Sequence, residues 1–286
     1  MQPKDRIRII APSGPVDKQV LQQSSTLIQY PYLLGKDVFH RDGFWAGTVE
    51  HRSQALQEAL DDDNCAAILC ARGGFGMSPL LDTLDFKKFA AAPKWIIGNS
   101  DITALLVHVW AYHRIMSIHG PMAQSLSQYP PTDINDMHLL LGKGNHPRQC
   151  ALETISQGDA TGPLIGGNLT MLAHMIGTLP DSFARDCILF MEDVGETPYR
   201  IERCLVQLSR CGVLSRARGI VLGEFTNCSP GPDGVSVNTV LHRNLEHLGI
   251  PVATGYPGAH GKRNRPFIHG QLARLSSTEK NSILED

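Results

Sequence analysis

Short apolar runs alternate with helix-spaced apolar residues through the first half of the chain. Arg6–Ala11 reads as an opening strand, Ala66–Cys70 as a buried strand and Trp95–Gly98 as another strand. Ile115–Ile118 is a further short strand. Between them, Ala55, Leu56, Ala59 and Leu60 put an apolar face on a helix over Arg52–Asp61, and Ile102–Tyr112 is a second helical run. Strand, loop and helix in repeated order predict a parallel sheet with helical crossovers. Residues 126–160 hold Pro130, Pro131, Gly142, Gly144, Pro147 and Gly158 with weak periodicity, and read as a connection between domains. Beyond it, Asn168–Ile176 reads as a helix following Gly166-Gly167, and Cys187–Met191 as a strand. Thr197 and Pro198 start a helix whose apolar face is Ile201, Leu205 and Leu208. Gly219–Leu222 and Pro251–Ala253 are strands around a helix at Val235–Leu248, and Gln271–Leu275 closes the fold.

The expected architecture is therefore α/β, an N-terminal domain over 1–140, a linker at 141–160 and a C-terminal domain over 161–286. At 286 residues the chain has room for about two domains. Its formal charge of −2 argues against a protein that coats nucleic acid or an anionic membrane. Ile7–Pro12 is interrupted by Arg8 and is too short for a signal-peptide core, so a cytoplasmic location is expected. Seven cysteines, an odd number without a Cys-x-x-Cys, read as reduced thiols and offer no zinc-like set, so no metal is expected.

Four segments carry candidate chemistry. In Trp95-Ile-Ile-Gly-Asn-Ser-Asp-Ile, Ser100 falls on the turn between a strand and a helix. Such a turn lifts a hydroxyl out of the sheet edge and aims the first helical amides, Asp101 among them, at an anion beside it. A serine directly before a helix also serves as an N-cap, and Ile102 stands where Gly-x-Ser-x-Gly has its second glycine. Arg72-Gly-Gly-Phe-Gly follows the Ala66–Cys70 strand, and an amide of Gly73 or Gly74 could complete an oxyanion hole; a bare tight turn is the alternative. Glu192 and Asp193 end the apolar strand at Met191, either as site carboxylates or as its entry to solvent. His260 lies in a loop between Gly258 and Gly261, free to act as a base. His108 and His174 lie within helical patterns, and His242 and His247 read as helix-surface residues. In Lys262, Arg263 and Arg265 the choice is between a carboxylate-binding loop and a solvated one.

Together with Ala11-Pro-Ser-Gly, Phe44-Trp-Ala-Gly-Thr and Gly166-Gly-Asn-Leu, these segments follow the order of motifs in the LD-carboxypeptidases, which the chain resembles from Ala11 to His260. That family of muramoyltetrapeptide carboxypeptidases also contains the microcin C immunity hydrolases. The resemblance implies an N-terminal parallel-sheet (Rossmann- or flavodoxin-like) α/β domain, a C-terminal β-rich α/β domain and a homodimer. It implies a catalytic Ser100, Glu192 and His260, with amides of Asp101, Gly73 and Gly74 at the oxyanion, and no cofactor. The implied reaction releases terminal D-alanine from murein tetrapeptides in peptidoglycan recycling. Two rivals stand beside it: hydrolysis of a peptidyl or aminoacyl nucleotide, which needs an aromatic or basic clamp, and a non-catalytic peptide-binding protein.

Overall fold

A computed structural model describes residues 6–143 and 147–286. The chain divides into two compact units, one of Met1–Asn145 with Asn264–Phe267, the other of His146–Arg263 with Ile268–Asp286.

The first unit is built on strands β1 (Arg6–Ile10), β2 (Tyr32–Leu34), β3 (Cys65–Cys70), β4 (Trp95–Gly98) and β5 (Ser117–His119). Adjacent pairs of these are parallel. Helices α1 (Lys18–Ser25), α2 (Val49–Asp61), α3 (Lys87–Ala91), α4 (Thr103–His113) and α5 (Pro131–Lys143) connect or follow them. Ile68, Leu69, Ile96 and Ile97 are fully buried, as continuous apolar runs in a covered parallel sheet should be. Helix α4 buries most of its circumference, including Leu105, Leu106, Val107 and Val109.

In the second unit, β6 (Gln149–Ser156), β7 (Gly158–Asn168), β8 (Ile188–Val194), β9 (Gly219–Thr226) and β10 (Val252–Thr254) precede β11 (Phe267–His269), β12 (Leu272–Ser277) and β13 (Ser282–Glu285). Helices α6 (Leu169–His174), α7 (Pro198–Arg210), α8 (Val213–Arg216) and α9 (Val237–Leu245) lie among them in the chain. The strands other than β11 close a barrel in the order β10-β6-β13-β12-β7-β8-β9. The parallel run β7-β8-β9-β10 places the carboxyl ends of β7, β8 and β9 side by side. Among the described residues no helix is long and apolar enough to cross a membrane.

The segment expected to be a linker at 141–160 holds the last turn of α5, the whole of β6 and the start of β7. Pro131 opens α5 rather than breaking it, because the first helical residue needs no N–H partner. In β6, Cys150 and Leu152 point inward while Ala151 and Glu153 stay exposed, an alternation too short to stand out. Gly166 and Gly167 lie near the end of β7. A Cβ on Gly166 would meet the carbonyl of Phe190, so the barrel wall requires glycine there.

Candidate functional site

In the first unit the chain leaves β4 at Gly98, whose missing Cβ makes room for Ile102: an added carbon would lie 2.7 Å from Ile102 Cγ2. Asn99 is extended, and Ser100 then adopts φ 59°, the left-handed region that serine rarely occupies. A short 3-10 turn over Ser100–Ile102 runs into α4. Ser100 is therefore not the N-cap of α4, a place taken by Ile102 without a side-chain cap. The strained turn turns the hydroxyl-bearing residue out of regular structure, as a nucleophile position requires.

Gly73 lies directly against it. A Cβ built on Gly73 would sit 2.9 Å from both the Cβ and the Oγ of Ser100. Gly74 and Gly76 have φ of 111° and 140°, and Gly14 donates to the Gly73 carbonyl at 2.9 Å, so the Arg72–Gly76 turn folds onto the Ser13–Gly14 loop. The Asp101 carboxylate is buried and accepts the Met77 N–H at 2.8 Å. Burial pushes its pKa up, against the hydrogen bonds of Ser13, Met77 and Gly76 and the charge of Arg52. Asp101 was expected here for its main-chain amide; its side chain ties the glycine turn to the Ser100 turn as well.

Arg52, unnoticed in the sequence, joins these loops. It is 2% exposed and donates to Gly47 O at 3.1 Å, Pro12 O at 2.8 Å and Gly76 O at 2.6 Å. The signal available was its place on the apolar face of α2, beside Leu56, Ala59 and Leu60. Nearby aromatics form a partly exposed cluster, with Phe44 against Trp45 (centroids 3.9 Å) and Phe75 (6.2 Å).

In the second unit Glu192 and Asp193 are fully buried at the end of β8, so that strand has not reached solvent. The β8–β9 register shifts here: Met191 pairs with Leu222 but Asp193 with Phe225. Gly223 and Glu224 thus face the single residue Glu192, a bulge that re-aims side chains. The bulge seats the loop carrying His260. Tyr256 N donates to Leu222 O at 3.1 Å and Glu224 N to Gly258 O at 3.3 Å, while the Tyr256 ring meets Phe190 edge-on. Ala259 is held at φ 115°.

His260 Nδ1 lies 2.9 Å from Glu192 Oε2. With the carboxylate as acceptor, the proton sits on Nδ1 and Nε2 keeps its lone pair. Burial raises the Glu192 pKa, with the charge of Asp193 adding to it, against the hydrogen bond and charge of His260 and a hydrogen bond from Asn168. For His260, burial disfavours the charged ring, but the hydrogen bond and charge of Glu192, with the charge of Asp193, outweigh it and leave the pKa raised. Asn168, the register partner of Glu192, donates to Asp193 Oδ1 at 2.9 Å, a role the sequence reading did not assign.

The structure thus brings Glu192 to His260 within one unit and Ser100 to Gly73 within the other. Of the basic residues, Arg265 Nε stands 3.9 Å from Asp136 Oδ2, and Lys262 and Arg263 face Glu224 electrostatically. His108 is packed with Phe86, His113 and Tyr112, its pKa lowered to about 4 by burial and by His113. Among the described residues no group of three or more His, Cys, Asp or Glu could hold a metal ion.

Residues 7–120 match the LD-carboxypeptidase N-terminal domain and residues 161–275 its C-terminal domain. The murein tetrapeptide carboxypeptidase of Pseudomonas aeruginosa is 35% identical over 96% of this chain and 94% of its own. The crystal structure of muramoyltetrapeptide carboxypeptidase from Oxalobacter formigenes superposes with a TM-score of 0.88 at 32% identity, over 98% of each chain. The microcin C7 self-immunity protein MccF of Escherichia coli is 27% identical over 85% of this chain and 79% of its own. With both family domains matched in order and relatives aligned along nearly its full length, the chain belongs to the LD-carboxypeptidase family of peptidases.

Proposed function

We propose that this protein is a serine-type carboxypeptidase that releases terminal D-alanine from murein tetrapeptides, with Ser100, His260 and Glu192 as its triad. The observation that supports it most is the buried Glu192 hydrogen-bonded to His260 Nδ1, which leaves Nε2 as a base. His260 takes the Ser100 proton as Oγ attacks the carbonyl carbon of the scissile bond. The developing oxyanion is met by amides of Asp101 and the Gly73-Gly74 turn, a contribution of about 10²–10³ in turnover per donor. Collapse breaks the C–N bond, and His260 returns the proton to the leaving amine of D-alanine. Water, deprotonated by His260, then attacks the acyl-enzyme and frees Ser100. Glu192 stays ionised throughout and stabilises the imidazolium that forms twice in each cycle.

The test is D-alanine release from purified murein tetrapeptide by wild type, Ser100→Ala, Glu192→Gln and His260→Ala. Loss of at least about 10³-fold in the serine and histidine variants is expected. Equal release by Ser100→Ala overturns the reading. The Phe44–Trp45–Phe75 cluster favours one rival, hydrolysis of a peptidyl nucleotide, because it offers faces on which a base could stack. Cleavage of a peptidyl nucleotide in preference to the tetrapeptide would select it.

A further inference from the structure

The carboxylate beside Glu192 is as deeply buried as Glu192 itself and is more fully bonded. Asp193 Oδ1 accepts from Asn168 Nδ2 at 2.9 Å and from Val194 N at 2.8 Å. Its Oδ2 accepts from Thr170 N at 3.0 Å and Thr170 Oγ1 at 2.8 Å. Four donors around one carboxylate fix its position. Glu192 differs: Oε2 is bonded to His260, and the charged form is favoured by His260 first and by the Asn168 side chain after it. Two adjacent buried carboxylates therefore have different surroundings, one anchored by neutral donors and the other held chiefly by the imidazole.

We propose that Asp193 is a positioning residue for the Glu192–His260 pair, fixing the bulged end of β8 through Asn168 and Thr170 and adding a second buried carboxylate next in the chain to the one that holds the imidazole. The route is short. Asn168 is the register partner of Glu192, and its side chain spans from Asp193 to the Met171 N–H, which Oδ1 accepts at 3.1 Å. Removing the Asp193 anchor frees that amide and the strand end together. The electrostatic part follows from burial, since a charge shut away from water acts on its neighbours with little screening. Asp193 adds to Glu192 in raising the His260 pKa. The other charged groups around the pair are Glu224 of β9, against Gly261, with Lys262 and Arg263 facing that carboxylate. Around Asp193 itself stand Cys204 of α7 and Cys228, whose thiols Asp193 helps keep protonated after burial.

The inference rests on His260 acting as the base, and the test separates the two. The His260 ring is titrated by NMR in a Ser100→Ala background, with no turnover involved, and the pH profile of kcat/KM is measured with Ser100 intact. Asp193→Asn keeps the shape but removes the charge and sets an amide against the Asn168 amide. We expect the His260 titration and the acid limb of kcat/KM to fall together by about one pH unit, and kcat by about tenfold or more. Asp193→Glu is expected to restore the titration, though not the full kcat. A His260 titration unmoved in Asp193→Asn overturns the electrostatic role. If Asp193→Asn does not fold, Thr170→Val loosens the anchor with the charge intact. It should lower kcat several-fold with KM and the titration unchanged, and an unchanged kcat overturns the positioning role. Should Ser100→Ala cleave like wild type, the triad reading fails while the titration still decides the influence of Asp193 on His260.

Discussion

Replacing Gly73 by alanine tests the local geometry of the proposed nucleophile, Ser100, with a single carbon. Gly73 is absent from the positions with positive φ, so the backbone accepts alanine and the cost is steric. The new Cβ would lie 2.9 Å from both Ser100 Cβ and Oγ, and 3.4 Å from Met122 Cε. The methionine tip can bend away. Ser100 has little freedom to do so, because it already sits at φ 59° and the next turn is packed by Ile102 against Gly98. Overpacking of this kind costs about 1–3 kcal/mol. A shift of Oγ by roughly 1 Å would cost about 10²-fold in kcat, with KM changed much less. The assay is steady-state D-alanine release beside urea unfolding of the same preparation. A double-mutant cycle assigns the cause: in a Ser100→Gly background the offending atoms are gone, and Gly73→Ala should then cost under about 0.5 kcal/mol. Wild-type turnover by Gly73→Ala, or the same stability cost with and without the Ser100 side chain, would refute the reasoning.

The bulge under the His260 loop makes a parallel case: a Cβ on Gly223 would lie 2.7 Å from Phe190 Cζ and 2.9 Å from Gly258 O. Gly223→Ala should therefore lower kcat at least tenfold and stability by about 1–3 kcal/mol, read from the same two assays. The acid limb of kcat/KM should have its midpoint above the ordinary histidine value of about 6.5, because Glu192 and Asp193 raise the His260 pKa and only the neutral ring is a base. In Glu192→Gln burial is left opposed only by Asp193, and the midpoint should fall; a midpoint independent of Glu192 would contradict the pairing. Both Glu192 and His260 have raised folded pKa values, so the stability they contribute is full below the unfolded values and is lost as pH climbs through the folded ones. His269 behaves oppositely. It is buried, accepts the Gly166 N–H at 3.0 Å, and burial lowers its pKa to about 3. Unfolding then takes up a proton as pH falls, removing about 3 kcal/mol between pH 7 and pH 4. Denaturant titrations at the two pH values should show that slope in wild type and a shallower one in His269→Gln.

The sequence by itself determined β1, β3, β4 and β5 of the first unit, but not β2, whose three residues are exposed and carry no buried run. A strand covered on both faces is a continuous apolar run, and Trp95–Gly98 ends within it at a residue where no side chain fits. The same reasoning located Ser100 on a turn, Glu192 at a strand end and His260 among small residues. Strand β6, with its brief alternation, and the first three residues of β7 read as a connection because the partners that justify them lie far along the chain. Beyond its place on the apolar face of α2, Arg52 carries no mark of its role in the sequence, since its three carbonyl acceptors come together from separate loops. That Glu192 is a buried residue and not a solvated strand end was likewise decided by tertiary structure. Only the register shift between β8 and β9 and the loop seated on it bring an imidazole from residue 260 to a carboxylate at 192. Composition and periodicity report each segment's own burial. The pairing of charges depends on long-range register, which no local window contains.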